Sequence, residues 1–417
     1  RPLDAASFLV AVPPLLTLPA TASSMNRAFA VLYLAAFIDS TSVGLIIPIL
    51  PTVLRRLSGS GPITLHYGAL IATFALMQFL CSPILGALSD RFGRRPVLLL
   101  SLAGGMLDYL LAGFAPTLWL LYLARAIGGL TGANLAVISA SIADLAPEAD
   151  RTRRYGAMNA ALGLGWVAGP ALGGTLGQIS PVLPFLLAAG FNGLNLLLAI
   201  VLLPEPRRAT AARPPIRLAQ LNAFVSLRWL GAMPALSPLI AIYAALCLLG
   251  QIPGSLWVLY GQARYNWSPA VVGWSFACFG LLFAGSQALL AGPLTARLGE
   301  RGSLLLGIGS DALGTGLMGL ANRGWMPFAI MPLLSANVGL PALQGAMSRQ
   351  VGEARQGELQ GTLASIANLA GVAGPIAATL LFGATSRTLP GAVWFVGALG
   401  YVACLMLAGS RRRPHGL

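Results

Sequence analysis

Long apolar stretches separated by short polar segments dominate this chain. About twelve of the stretches reach the ~20 residues that an α-helix needs to cross the hydrocarbon core of a bilayer. They lie at residues 27–51, 66–88, 96–114, 117–143, 156–178, 183–203, 232–260, 269–292, 302–321, 324–348, 358–383 and 388–409. The pattern predicts an all-α membrane protein with twelve transmembrane helices.

One long polar interruption, residues 203–230, divides the apolar stretches into six and six. It carries five Arg and four Pro, including the Pro214-Pro215 pair, so we predict a cytoplasmic linker and not a folded domain. A short apolar run near the start would fit a cleaved signal peptide. A signal peptide would leave the first span entering from outside, against the charge bias, so we favour an extension before Met25. The predicted units are an extension at 1–24, a six-helix bundle at 25–203, a linker at 204–231, a second bundle at 232–409 and a cytoplasmic tail at 410–417.

Two sequence patterns recur at about half the chain length. The loop Gly86-Ala-Leu-Ser-Asp-Arg-Phe-Gly-Arg-Arg-Pro has a looser copy that begins at Gly292, 206 residues later. The pairs Gly169-Pro170 and Gly374-Pro375 are 205 residues apart. Such repeats in a membrane protein indicate two pseudo-symmetric bundles that alternate access to a site at the membrane midplane.

Small residues cluster in the predicted fifth span, where Gly165, Gly169, Pro170 and Gly173 fall on a spacing of about four residues. Small residues at this spacing let helix backbones approach closely, and proline removes one backbone donor. Two interpretations remain open from the sequence: tight packing alone, or a hinge shared by the two halves.

Composition agrees with this class of protein. Hydrophobic residues make up 56% of the chain, charged residues 9%, and the mean hydropathy is +0.77, whereas soluble domains carry about 25% charged residues. The positive charge of the chain comes from Arg alone, which accounts for all 26 basic residues. With both termini in the cytoplasm, 20 Arg lie inside, 5 lie outside and Arg125 lies in a span. This bias follows the positive-inside rule, so we attribute the net charge of +14 to membrane topology and not to nucleic-acid binding.

Resident cofactors are not expected. The chain has no Lys, so it cannot form the Gly-rich phosphate loop that ends in Gly-Lys, and ATP is not the expected energy source. The four cysteines lie in apolar stretches without metal-ligand spacing, and His66 and His415 lie in a loop and in the tail. We therefore predict no metal site. The lack of an evident nucleophile–base pair argues against an enzyme.

Four charged residues, Asp39, Asp108, Arg125 and Asp311, fall inside predicted spans. Each costs ~2.5–3.5 kcal/mol at the centre of a membrane helix, so each needs a physical reason to be there. Asp108 and Arg125 lie at similar depths on consecutive spans, which predicts an ion pair that is either structural or functional. Asp39 and Asp311 have no base deep within their own spans. Because low dielectric disfavours the charged form of a carboxylate, they are candidate proton carriers, with simple cavity lining as the alternative.

Several motifs resemble known families. The loop from Gly86 to Arg95 resembles the signature loop of the major facilitator superfamily. Asp39–Pro51, Arg125-x-x-Gly-Gly and Gly165–Gly174 resemble motifs of its twelve-span drug:proton antiporters. Further stretches resemble bacterial tetracycline efflux proteins: 74–78, 89–100, 107–109, 131–133, 250–253, 256–258, 297–301, 324–326, 341–344 and 356–361. The resemblance as a whole runs from about Met25 to Met406.

The resemblance implies export of tetracycline, as a chelate with a divalent cation such as magnesium, in exchange for protons. The cation is part of the transported chelate and not a cofactor. The expected partners are a small-molecule drug, protons and the lipid bilayer, with no nucleic acid and no obligate protein partner. The expected location is the bacterial cytoplasmic (inner) membrane, with both termini in the cytoplasm.

The same resemblance assigns roles to individual residues. Asp39, Asp108 and Asp311 would serve substrate and proton, and Arg125 would orient the site. The gating loop would comprise Gly86, Asp90, Arg91, Gly93, Arg94 and Arg95, with Asp90 and Arg94 as a cytoplasmic latch. The candidate substrate-cavity residues are Gln251, Trp257, Phe283, Gln287 and Gln344.

Two positions depart from the family pattern. Phe283 stands where tetracycline exporters carry a span-eight His, so proton coupling would depend on carboxylates alone, and Ser42 replaces a Gly in the first-span motif. Phe283 slightly favours the alternative of a broader multidrug or metabolite exporter. A remoter alternative, a non-transporting membrane sensor, does not account for the duplicated loops and the three intramembrane carboxylates.

Overall fold

A computed structural model of the chain describes residues 22–59, 61, 63–132, 134–203, 205, 222–224, 236–336, 339–351 and 355–410. Most of the predicted extension at 1–24, most of the linker at 204–231 and the tail after residue 410 lie outside the described residues. Within the described residues the regular structure is entirely helical. The all-α fold predicted from the sequence is therefore confirmed.

Fifteen α-helices form the described part of the chain, together with one short 3-10 turn at Glu148–Asp150. In chain order they are α1 (Ala22–Ile46), α2 (Leu50–Ser58), α3 (Ile63–Phe92), α4 (Arg94–Gly113), α5 (Leu118–Thr131), α6 (Asn134–Leu145), α7 (Arg151–Ile179), α8 (Leu183–Leu202), α9 (Ser237–Tyr265), α10 (Pro269–Leu289), α11 (Ala291–Leu320), α12 (Met326–Ser335), α13 (Gly339–Arg349), α14 (Gln356–Thr385) and α15 (Ala392–Gly409).

Each of the twelve predicted spans corresponds to one helix or to one pair of helices. Ten helical segments of the described chain are long and apolar enough to cross a membrane. The glycine-rich helix α7 and the pair α12 and α13 account for the other two spans. The predicted fourth span is also a pair, α5 and α6, interrupted after Thr131. The chain is thus a multi-pass membrane protein.

The repeated polar loops share one backbone feature. Gly93 separates α3 from α4 with a φ of 108°, and Gly299, 206 residues later, bends α11 with a φ of 68°. A positive φ is readily accessible to glycine because it has no Cβ. The same turn therefore recurs at the same place in both halves, as the sequence repeat predicts.

The two halves meet along two helix pairs, α7 with α10 and α3 with α14. Their contacts concentrate at the end that carries α2. There Arg55 of α2 donates a hydrogen bond to Gln262 of α9 at 2.7 Å, and Gln178 of α7 donates to Ser268 at 3.1 Å. Toward the end that carries the Gly93 turn, a Cβ on Gly156 or Gly163 of α7, on Gly285 of α10 or on Gly292 of α11 would meet open space. The cleft between the halves therefore opens toward the polar loops.

Glycines of α7 provide the closest helix packing of the first half. A Cβ on Gly169 would lie 2.5 Å from the carbonyl oxygen of Thr41 in α1, and one on Gly173 would overlap the carbonyl oxygen of Leu45. Gly165 of α7 faces Ser40, which also lies on α1. This face of α7 therefore requires glycine so that the two backbones can touch.

Pro170 has a different role in the same helix. Its carbonyl oxygen lies where a Cβ on Gly273 of α10 would be placed, so it belongs to the contact between the halves. The prediction of close packing through these small residues holds, and α7 is the helix that joins the packing of α1 to the contact with α10.

We predict that Gly169→Ala lowers the melting temperature of the purified protein in detergent. The new methyl group would press on a backbone oxygen that cannot rotate away, and overpacking of this kind costs about 1–3 kcal/mol. Gly163→Ala on the same helix is the matched control, because a Cβ there meets open space. Equal melting temperatures for the two variants would contradict the packing role of Gly169.

Candidate functional site

An ion pair lies inside the first bundle, between α4 and α5. Arg125 donates from its terminal guanidinium nitrogen to Asp108 Oδ2 at 2.6 Å. Asp108 is 1% exposed, so the pair is removed from water. This confirms the ion pair predicted from the similar depth of the two residues.

The surroundings of the pair explain the spacing of the motif that contains it. A Cβ on Gly128 would overlap the Asp108 carboxylate, so the glycine one turn after Arg125 leaves room for its partner. The guanidinium also lies over the rings of Tyr109, at 5.4 Å, and Phe74, at 6.0 Å, which stabilise a desolvated cation. The second oxygen of Asp108 and the Nε of Arg125 have no hydrogen-bond partner among the described residues.

Asp39 lies on α1 and is held by an amide that the sequence analysis did not single out. Asn134 donates from Nδ2 to Asp39 Oδ1 at 2.6 Å. Asn134 is the first residue of α6, directly after the interruption of the fourth span, and Gln78 donates to the freed carbonyl of Gly132 at 2.8 Å. The break in the span therefore positions the partner of Asp39. A glycine followed closely by an asparagine in an apolar stretch was the available signal.

Asp311 lies on α11 in the second bundle and is 8% exposed. It forms no ion pair or hydrogen bond with any residue that the structure describes. It lines a cavity of about 210 Å³ at the start of α13. The walls of this cavity include Cys247, Gly250, Gln251, Leu340 and Tyr401. Of the predicted cavity residues, Gln251 is the one that shares this space with Asp311.

Two other predicted cavity residues lie elsewhere in the second bundle. Trp257 is 6% exposed, and its indole N–H donates to Ser275 at 2.7 Å within the hydrophobic core. The structure thus places Trp257 in the core and not at the Asp311 cavity, because a large aromatic ring with its one donor satisfied packs well between helices. Gln344 of α13 donates to the hydroxyl of Tyr243 at 3.3 Å.

Phe283 and Gln287 lie one turn apart on α10 and do not line the Asp311 cavity. Phe283 is 40% exposed and stacks on Phe279, with ring centroids 6.3 Å apart. Gln287 is partly buried. Phe283 thus provides partly exposed apolar surface on α10, outside the Asp311 cavity.

The gating loop forms a charge network within the first half. Arg94 binds Asp90 at 2.7 Å and Asp144, at the end of α6, at 2.9 Å. It also donates to the hydroxyl of Ser89 at 3.1 Å. No described residue of the second half contacts Asp90 in this network. With the cleft open at this end, the predicted latch across the halves is not formed in this conformation.

Glu205 adds a second anchor that the sequence analysis did not single out. Its carboxylate accepts hydrogen bonds from the backbone N–H groups of Arg94, at 2.8 Å, and Arg95, at 3.1 Å. A carboxylate at this position satisfies the free donors at the start of α4 and interacts favourably with the helix dipole. Glycine at position 93 is favoured by its φ of 108°, and a Cβ there would also lie 2.6 Å from the Glu205 carboxylate.

The remaining residues of the gating loop make fewer contacts. Arg95 donates to the carbonyl oxygen of Ile200 at 2.5 Å, which ties the loop to α8. The Arg91 guanidinium lies 5.6 Å from the centre of the Phe92 ring. Gly86 faces open space. The loop is thus fixed to its own bundle by Arg94, Arg95 and Glu205.

The model of the Major Facilitator Superfamily matches residues 32–260 of the chain, which is more than half of its length. The chain belongs to this superfamily. It is 46% identical over 381 residues to "Tetracycline resistance protein, class C" of Escherichia coli, covering 91% of this chain and 96% of that protein. It is 45% identical to "Tetracycline resistance protein, class G" of Vibrio anguillarum, covering 90% of this chain and 95% of that protein.

A solved structure shows the same superfamily fold at low identity. The crystal structure of the human organic anion transporter MFSD10 (TETRAN) superposes with a TM-score of 0.69 at 23% identity, covering 92% of this chain and 99% of that chain. At this identity the likeness concerns the fold alone. The family model and the two relatives confirm the family resemblance drawn from the motifs.

The buried ion pair of this superfamily member yields a prediction on stability. Asp108→Asn would leave the Arg125 charge uncompensated, and breaking a buried pair costs about 3–5 kcal/mol. The double variant Asp108→Asn/Arg125→Met removes both charges, so it should lose much less stability than the sum of the single variants. Thermal unfolding in detergent measures this coupling. Additive losses would show that the two side chains do not depend on each other.

Proposed function

We propose that this chain is a secondary active exporter that exchanges tetracycline, bound to a divalent cation, for protons. The observation that carries the proposal is the set of three intramembrane carboxylates, Asp39, Asp108 and Asp311, in a two-bundle fold with a cleft open at one end. The 46% identity to a tetracycline resistance protein supports the choice of drug. The protein would act as a transporter and not as an enzyme, in the bacterial cytoplasmic membrane with both termini in the cytoplasm.

Proton coupling follows from the different environments of the carboxylates. Asp108 is paired with Arg125, so its charge is compensated within the protein. Asp39 has a neutral amide partner, and Asp311 faces a cavity, so these two can bind either a proton or a cationic substrate. A proton entering from outside would neutralise the carboxylate and release the cationic chelate there. No resident cofactor is required, and the divalent cation leaves with the drug.

Alternating access would use the contacts that distinguish the two ends of the cleft. The end with α2 is closed in this structure through Arg55–Gln262 and Gln178–Ser268. In the proposed orientation the cleft opens to the cytoplasm, where the drug enters. Closure at that end would bring Asp90 of the gating loop against the second half, while Arg94 and Glu205 hold the loop rigid.

We predict that Asp39→Asn and Asp311→Asn each abolish drug accumulation against a gradient. An amide cannot exchange a proton, so the proton gradient would no longer drive transport. The measurement is uptake of labelled tetracycline with Mg²⁺ into inverted vesicles, driven by an imposed pH gradient. Asp150→Asn is the matched control, because Asp150 lies in the loop before α7, outside the spans. Wild-type accumulation by both membrane variants would refute the coupling role.

The alternative, a broader drug exporter, is favoured by the partly exposed ring of Phe283, which stacks on Phe279 of the same helix α10. We predict that a sensitive bacterium expressing the chain gains resistance to tetracyclines but not to unrelated lipophilic cations. The carboxylates offer charge, whereas a promiscuous cavity depends mainly on apolar surface. Minimal inhibitory concentrations across both drug classes test this. A comparable rise for unrelated cations that disappears in Phe283→Ala would favour the broader exporter.

A further inference from the structure

Two polar side chains of the second bundle line the same cavity. Asp311 of α11 is 8% exposed and Tyr401 of α15 is 5% exposed, and both belong to the cavity wall. Neither forms a hydrogen bond or an ion pair with any residue in the part of the chain that the structure describes. Because a polar group removed from bulk water is stabilised by a hydrogen-bonding or charged partner, two such groups on one cavity wall indicate a surface that receives a ligand.

Comparison of the two halves explains why this carboxylate is unpaired. Helices α4 and α11 are equivalent in the repeat and end at Gly113 and Leu320, 207 residues apart. Asp108 lies five residues before the end of α4, and Asp311 lies nine residues before the end of α11. The two positions therefore differ by about one helical turn along equivalent helices. The two carboxylates therefore occupy similar faces of equivalent helices.

The base that neutralises Asp108 has no counterpart in the second half. Arg125 lies on α5, whose equivalent is α12, and the sequence of α12 is Met-Pro-Phe-Ala-Ile-Met-Pro-Leu-Leu-Ser. The protein thus compensates one of the two related carboxylates internally and leaves the other facing a cavity. A negative charge in that position attracts a cation.

We infer that this cavity is the subsite for the cationic, metal-bearing end of the transported drug, with Tyr401 as a specificity-determining residue. The inference rests on the proposed function. Asp311 balances the positive charge, while the Tyr401 hydroxyl donates a hydrogen bond to a ligand oxygen. Gln251 of α9 supplies an amide on the wall of the same cavity. Carboxylate, amide and hydroxyl oxygens suit a hard divalent cation that keeps part of its water shell.

The size of the cavity determines how much of the drug it receives. Pockets for whole drug-sized ligands measure about 300–1,000 Å³, whereas this cavity measures about 210 Å³. It therefore holds one end of the drug, and the rest of the molecule lies in the cleft between the bundles. The polar side chains of Asp311, Gln251 and Tyr401 select the end that carries the metal.

The first test removes the Tyr401 hydroxyl alone. We expect Tyr401→Phe to raise the half-saturating concentration of tetracycline with Mg²⁺ about ten-fold, with little change in maximal uptake, since a hydrogen bond to a charged ligand has this order of effect. Tyr33→Phe is the matched control, because the Tyr33 hydroxyl is also buried without a partner but lies in the first bundle. A wild-type half-saturating concentration for Tyr401→Phe would overturn the assignment.

The second test uses Cys247, a natural thiol on the cavity wall. The full-length protein with Cys81, Cys278 and Cys404 replaced by Ala is labelled with N-ethylmaleimide in inverted vesicles. Tetracycline together with Mg²⁺ should slow the labelling several-fold, whereas Mg²⁺ alone, or tetracycline with a chelator, should not. The matched control keeps Cys278 as the single cysteine, since it lies on α10 and does not line the cavity.

The outcomes separate this inference from the proposed function. If the vesicles accumulate tetracycline but the drug and Mg²⁺ leave Cys247 labelling unchanged, the subsite is wrong and the export function stands. If wild-type vesicles accumulate no tetracycline, the proposed function fails and the subsite with it. Slower labelling of Cys247 with unchanged labelling of Cys278 supports both.

Discussion

The free-energy cost of a charge inside a membrane is the constraint on which the rest of this structure depends. Each intramembrane carboxylate needs a compensating partner or access to a polar cavity. The protein uses three different solutions: Arg125 for Asp108, the Asn134 amide for Asp39 and a cavity for Asp311. Three chemically similar groups thus have different surroundings, and the proposed exchange of a cationic drug for protons uses this difference.

The helix architecture serves these sites by interrupting helices where polar groups are needed. The break between α5 and α6 positions Asn134 beside Asp39, and the Asp311 cavity lies at the start of α13, after the corresponding break in the second half. Discontinuous helices at the midplane expose backbone and side-chain polar groups without presenting them to lipid. The helix pairs α7 with α10 and α3 with α14 join the two halves that carry these sites.

Backbone contacts and a charge network give the first half its internal order. Glycines bring the backbones of α1 and α7 into contact. At the polar-loop end, Arg94 and Glu205 fasten the start of α4 to α3, α6 and the segment after α8. The gating loop is therefore held by contacts within its own half.

The sequence alone determined the helical class, the twelve spans, the internal repeat and the Asp108–Arg125 pair. Hydrophobic length and buried charge act locally, so the linear pattern records them directly. Its motifs also identified the family. The linear pattern did not reveal that Asn134 binds Asp39, that Glu205 caps α4 or that Trp257 packs in the core.

Those features join residues far apart in the chain, 95 residues for Asp39 and Asn134 and 111 for Arg94 and Glu205. Their side chains meet only because packed helices bring them together. The cavity of Asp311, Tyr401 and Cys247 likewise exists only between assembled helices. Which carboxylate is paired and which faces open space was decided by the tertiary structure, because compensation of a charge depends on distance in space and not on position in the sequence.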